Sequence, residues 1–155
     1  MINNYISRIV EKEIQETMKA VGCVVIEGPK ACGKSTTAQM FAKTTIELQH
    51  PKEFERQRLL ISSEENIFDK DKPMLFDEWQ KIPELWDMIR TEVDYTNAKG
   101  EYILTGSAQP LEDNLRHSGV GRFGTIRMYP MSLFESGESN GNVSLSNLFK
   151  QPERI

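Results

Sequence analysis

The chain has 155 residues, 38% of them hydrophobic and 27% charged, with a formal net charge of −4. That apolar content suits one globular domain with a sizeable core, and the acidic balance argues against a large nucleic-acid surface. No run of about 18 apolar residues is present to span a membrane, and the N-terminal MINNYISRIVEKE mixes charges throughout where a secretory signal would have an apolar centre.

The first periodic stretch is residues 5–19, where Ile6, Ile9, Val10, Ile14 and Met18 recur at three- and four-residue steps. This spacing predicts an amphipathic helix covering one edge of the core. Val24, Val25 and Ile26 follow as a short β-branched run, the composition of a buried strand. Cys23 falls in that strand and Cys32 just beyond it, which gives no disulfide framework and points to a reduced, cytoplasmic setting. The isolated His50 and His117 offer no metal-ligand spacing.

After the strand, Gly28-Pro29-Lys30-Ala31-Cys32-Gly33-Lys34-Ser35 fits the phosphate-loop pattern G-x-x-x-x-G-K-[ST] without a mismatch. Chance would supply such a match in roughly one chain in two hundred of this length. Ala38, Phe41 and Ala42 then recur at helical spacing, so the motif stands between a strand and a helix, as its chemistry requires. Gly28 and Gly33 let the backbone curl closely around an anion. The helix start near Lys34 turns free N–H groups and a positive dipole end toward it. Phosphate contacts are expected from the run Gly28 to Ser35 and from Thr36. Lys34 is expected to reach the β- and γ-phosphates of ATP, and the Ser35 hydroxyl to coordinate Mg²⁺. Cys32, near a helix N-terminus among cations, is either a reactive thiol or a small filler.

Thr44 to Leu48 alternates as a second strand, and the charged segment Lys52 to Ile67 reads as a surface helix or irregular crossing. Met74-Leu75-Phe76-Asp77-Glu78 describes a buried strand that delivers carboxylates at its C-terminal tip, the ligand edge of open α/β sheets. Asp77 suits the water shell of Mg²⁺. Glu78 should point elsewhere because strand side chains alternate, and there it would orient and deprotonate an attacking water. Pro83 can open a helix with Leu85, Trp86, Ile89 and Val93 as its apolar stripe, and the two tryptophans read as core. Glu101 to Leu104 gives another strand, with Thr105 or Ser107 placed to sense the γ-phosphate or simply to cap a turn. A helix is expected around Leu111 to Arg116. Beyond it, Arg116 and Arg122 flank a Ser-Gly-Val-Gly stretch and precede a strand at Thr125 to Tyr129. Arg122, ahead of Arg116, is the candidate arginine finger for a neighbouring subunit in a homo-oligomer, with a surface ion pair as the plain alternative. The polar stretch Glu135 to Ser144 reads as a loop or linker.

Together, GPKACGKSTTA, LFDEWQKIPELW, EYILTGSAQ and GVGRFGTIRMYPMSLFE resemble the AAA-type P-loop ATPases of bacteria and archaea that carry a C-terminal DUF4143 domain. The resemblance spans about residues 20–136. It implies an α/β three-layer sandwich with a parallel sheet of order 5-1-4-3-2. It also implies Walker A roles for Lys34 and Ser35, Walker B roles for Asp77 and Glu78, a sensor at Thr105 or Ser107, and a finger at Arg122. The expected organisation is an ATPase core over 1–136, with 137–155 leading toward a C-terminal region or a separate protein partner that this chain lacks. The chain then reads as a truncated product or an isolated domain, with turnover reduced accordingly.

Three functions compete. Mg²⁺-dependent hydrolysis of ATP to ADP and phosphate leads. A nucleotide-gated regulatory module with little turnover is the second. A small P-loop kinase is the third, disfavoured because the Asp77-Glu78 pair argues for water as acceptor. GTP is disfavoured by the lack of an N-K-x-D stretch.

Overall fold

The computed structural model describes residues 5–63, 66–106, 119–143 and 145–150. Two compact units divide the chain, one formed by Val10–Pro130 and the other joining Met1–Ile9 to Met131–Ile155.

The larger unit is built on five parallel strands, β1 (Cys23–Glu27), β2 (Thr44–Glu47), β3 (Met74–Asp77), β4 (Tyr102–Gly106) and β5 (Phe123–Arg127). Their order is β2-β3-β4-β1-β5, which is the expected 5-1-4-3-2 sheet. The central strands β1, β3 and β4 are apolar on both faces because helices cover both sides, as parallel sheets require. Side-chain alternation sorts them into two cores. Cys23, Val25, Met74, Phe76, Tyr102 and Leu104 meet Leu85, Trp86, Ile89 and Val93 of helix α4 (Glu84–Thr96) on one face. Phe54, Leu60 and Ile61 of α3 (Pro51–Ser62) pack on that side too. Val24, Ile26, Leu75, Ile103 and Ile126 meet Ile14 of α1 (Glu11–Ala20) and Ala38 of α2 (Lys34–Gln39) on the other. Both tryptophans are core residues. Trp79 and Trp86 stack with ring centroids 5.3 Å apart, and Phe123 lies 4.1 Å from Trp86.

Several expected boundaries shift. The helix predicted over 5–19 begins only at Glu11, and Ile6 and Ile9 are exposed. Within the smaller unit, the Ile9 N–H donates to the Glu135 carboxylate (2.8 Å) and Arg8 pairs with the same group (3.0 Å). Side-chain capture of this backbone replaces the first turn of helix. The last strand starts at Phe123 rather than Thr125, because the chain joins the β1 ladder at Cys23, the register partner of Phe123. The charged crossing is a helix, α3, opened by Pro51 at its first position. The stretch predicted as a loop from Glu135 holds no regular element through Val143, and the six-residue α5 (Leu145–Lys150) follows. The helix expected around Leu111 to Arg116 lies outside the described residues. No helix among the described residues is long and apolar enough to cross a membrane.

The connections leave β1 for the far edge at β2, return through β3 and β4, and finish on the opposite side of β1 at β5. β1 therefore sits where the strand order reverses, the position at which open α/β sheets hold ligands beyond their strand C-termini. The Gly28–Ser35 loop leaves from that point.

Candidate functional site

The loop's geometry follows from two glycines. At Gly28 (φ +155°) a Cβ would stand 2.1 Å from the Met128 carbonyl oxygen, so no larger residue fits between the loop and the exit of β5. Gly33 (φ 98°, ψ 14°) adopts the left-handed conformation just before α2, a shape that glycine takes at little cost. Ala31 shares that region at φ 63°. Pro29, Lys30, Ala31 and Thr36 are exposed on the loop and the first turn of α2. Lys34 is 5% exposed and donates to the carbonyls of Gly28 (3.0 Å) and Pro29 (2.8 Å). Its ammonium thus lies inside the curl of its own loop.

Strand alternation delivers the next groups. Asp77 has the parity of Leu75, and Thr105 that of Ile103, so both face the α2 side of the sheet, and the two are register partners. The Ser35 hydroxyl donates to Asp77 Oδ1 at 2.6 Å, and the Thr105 hydroxyl donates to the same oxygen at 2.5 Å. Asp77 and Thr105 are each 1% exposed. A hydroxyl and a carboxylate, both hard oxygen donors, fit Mg²⁺, which takes few protein ligands and completes its shell with water and phosphate. No group of three His, Cys, Asp or Glu side chains that could hold a metal ion gathers among the described residues.

Glu78 is aimed by a different mechanism from the one expected. β3 ends at Asp77, and Glu78 takes a left-handed backbone (φ 59°, ψ 45°) that starts a 3-10 turn, Trp79–Lys81. Its direction is therefore set by a turn and not by strand alternation. Its carboxylate accepts a hydrogen bond from Gln80 Nε2. The sequence reading missed Gln80 because a continued strand would have sent the two side chains along the same face without a turn to join them.

Arg122 lies at the other end of the sheet. Its carbonyl accepts from the Cys23 N–H at the start of β1, whereas the phosphate loop begins at the end of that strand. A five-residue strand separates these ends by roughly 16 Å. Arg122 Nε donates to Asp94 Oδ1 of α4 at 2.6 Å, and this hydrogen bond holds the Asp94 carboxyl below its ordinary range. Within one chain Arg122 does not join the loop. Ser107 and Arg116 lie outside the described residues. Cys32 is 5% exposed, and its thiol contacts the Met128 carbonyl at 3.7 Å within the apolar cluster around Val24 and Ile26.

A five-stranded parallel sheet with a Gly28–Ser35 loop at its switch point defines a P-loop nucleotide-binding domain. The chain belongs to the AAA-domain family, whose model matches residues 21–136. Similar solved structures include C. elegans PCH-2 (15% identity, TM-score 0.41, covering 88% of this chain and 48% of that one). Saccharomyces cerevisiae RIF2 is also similar (11% identity, TM-score 0.41, covering 91% and 66%). The chain thus spans about half to two thirds of the length of these structures. No curated protein matches the sequence.

Proposed function

We propose that this domain binds Mg²⁺–ATP in the loop from Gly28 to Thr36 and hydrolyses it to ADP and phosphate. The observation that carries the reading is the convergence of Ser35 and Thr105 on one oxygen of Asp77, directly beside the loop that holds Lys34. Three strand tips and a helix start bring these groups together although they are 28 and 42 residues apart in sequence.

Lys34 would exchange its two backbone carbonyl partners for phosphate oxygens, and the N–H groups of the loop and of α2 would hold the same anion. Ser35 and Asp77 would hold Mg²⁺, which when bound neutralises phosphate charge and orients the γ-phosphoryl group for in-line attack. Thr105 fixes the rotamer of Asp77 and stands as the sensor. Glu78 would accept the proton of the attacking water. Arg122 has only one route to a phosphate, in trans, so a homo-oligomer is the form in which it would act.

A Glu78→Gln protein should retain ATP affinity and lose roughly 10²–10⁴-fold in turnover, the usual contribution of a general base. Phosphate release against ATP binding by calorimetry reads both quantities. Undiminished hydrolysis in that variant would remove Glu78 and leave the nucleotide-gated module as the better description.

A further inference from the structure

Gln80 has one polar atom that nothing in the site explains. Its Nε2 donates to Glu78 Oε2, yet its Oε1 is buried and has no hydrogen-bond partner among the described residues. Carbonyl oxygens seldom stay buried and unpaired, because they forfeit their bonds to water. This one rests against the tip of β4. A Cβ added at Gly106 would stand 2.7 Å from Gln80 Oε1 and 3.4 Å from Trp79 Nε1. Gly106 immediately follows Thr105, the Asp77 partner, so a single amide spans from Glu78 to the residue beside the sensor.

The turn that carries this amide is firmly held. Trp79 is 1% exposed and stacked on Trp86, and the Lys81 and Ile82 N–H groups donate to the carbonyls of Glu78 and Trp79. Glu78 itself has only a half-buried, rotamer-rich side chain on a left-handed backbone. No strand ladder orients it.

We propose that Gln80 is a positioning residue: wedged against Gly106, it donates to Glu78 and fixes the carboxylate where the attacking water must be met. This rests on the role given to Glu78 above and adds what holds that residue in place. The absence of a side chain at Gly106 is then part of the same device, since only a bare Cα leaves room for the amide oxygen. Thr105 and Glu78, which act on different parts of the nucleotide, are thereby tied to one strand tip.

Gln80→Met keeps the length of the side chain and removes the donor. We expect about a tenfold lower kcat with KM for ATP within about twofold, the pattern of a displaced catalytic group whose ground-state binding is intact. Gly106→Ala leaves Gln80 in the chain but pushes its amide aside, and should reproduce the same split between kcat and KM. Because it does so without altering Gln80, it reads the proposal even if Gln80→Met folds poorly. Combined with Glu78→Gln, Gln80→Met should add no further loss, since two members of one unit are not additive. Wild-type kcat in both variants, a KM that rises in step with the loss of kcat, or full additivity would overturn the positioning role. If Glu78→Gln is inactive while Gln80→Met is unaffected, only this inference fails. If Glu78→Gln turns over normally, or the native protein does not hydrolyse ATP, both fall together.

Discussion

The two ends of the sheet treat polar groups in opposite ways. At the C-terminal end, Lys34 bonds to the carbonyls of its own loop, and Ser35 and Thr105 converge on one oxygen of Asp77. Those are bonds that an anion and a metal can replace or extend. At the N-terminal end the polar groups close on one another. Lys72 donates hydrogen bonds to the Phe68 carbonyl, the Tyr102 hydroxyl and the Met74 sulfur, and its ammonium lies over the Phe68 and Tyr102 rings. Burial lowers the Lys72 pKa and raises that of Tyr102. Arg122 is likewise closed on Asp94. The same strands thus present one end whose lysine is held by its own loop carbonyls and another whose cations pair with groups from other elements.

Arg122 is the residue that can break this division, and it carries the largest expected effect. It is 42% exposed and its ion pair with Asp94 is of the weak, solvent-screened surface type, so little opposes its release. If it reaches a second copy's γ-phosphate, specific activity should rise steeply with protein concentration, and Arg122→Ala should remove roughly 10³-fold or more of it. ATP affinity in dilute protein should stay unchanged. Specific activity that is flat with concentration and equal in the variant would confine Arg122 to Asp94 and make the N-terminal end wholly structural.

Lys34→Ala tests the C-terminal end alone. Hydrogen bonds to charged groups contribute about 1.5–3 kcal/mol each, so loss of this ammonium should weaken ATP binding by about 100-fold or more. The fold should survive, because the lysine's present partners are two carbonyls that water can reach once the side chain is gone. Wild-type-like affinity by titration calorimetry would undo the loop assignment.

Much of this contrast was legible from residue order. The phosphate loop and the Asp77 tip rest on local signals, namely glycine spacing, β-branched runs and a carboxylate after apolar residues, whereas the sheet order was implied by the family resemblance. The tryptophan core followed from helical spacing at Leu85, Trp86, Ile89 and Val93. What escaped depends on where chains turn or meet. Nothing in Met74–Glu78 says that the strand stops one residue before Glu78, since a left-handed backbone at a glutamate has no sequence signal. The Gln80 contact was hidden with it. Arg122 shows the same limit, for its place at the opposite end from the loop is fixed by β5 register against Cys23. The backbone of Ile9, expected to be helical, instead bonds to Glu135, 126 residues away.

Glu135 supplies the smallest expected effect and tests whether a closed cluster acts on stability alone. Its carboxylate accepts from the Ser132 N–H (2.7 Å) and hydroxyl (2.8 Å), the Ile9 N–H (2.8 Å) and Arg8 (3.0 Å). The Ser132 N–H foremost, with the Ile9 N–H, the Ser132 hydroxyl and Arg8, pulls its pKa from 4.5 to about 2. A depressed carboxyl pKa stabilises the folded form above the unfolded value, so the contribution is complete above about pH 5 and fades as pH falls toward 2. After allowance for solvent screening it is about 1–2 kcal/mol at neutral pH. Glu135→Gln should therefore be less stable than the native protein at pH 7 by that amount in urea unfolding, and the gap should close between about pH 4.5 and 2. ATP affinity at pH 7 should not change. A gap that is constant across this range would show that the carboxylate's charge is not what the cluster holds, and altered ATP affinity would show that a closed cluster also serves the C-terminal end of the sheet.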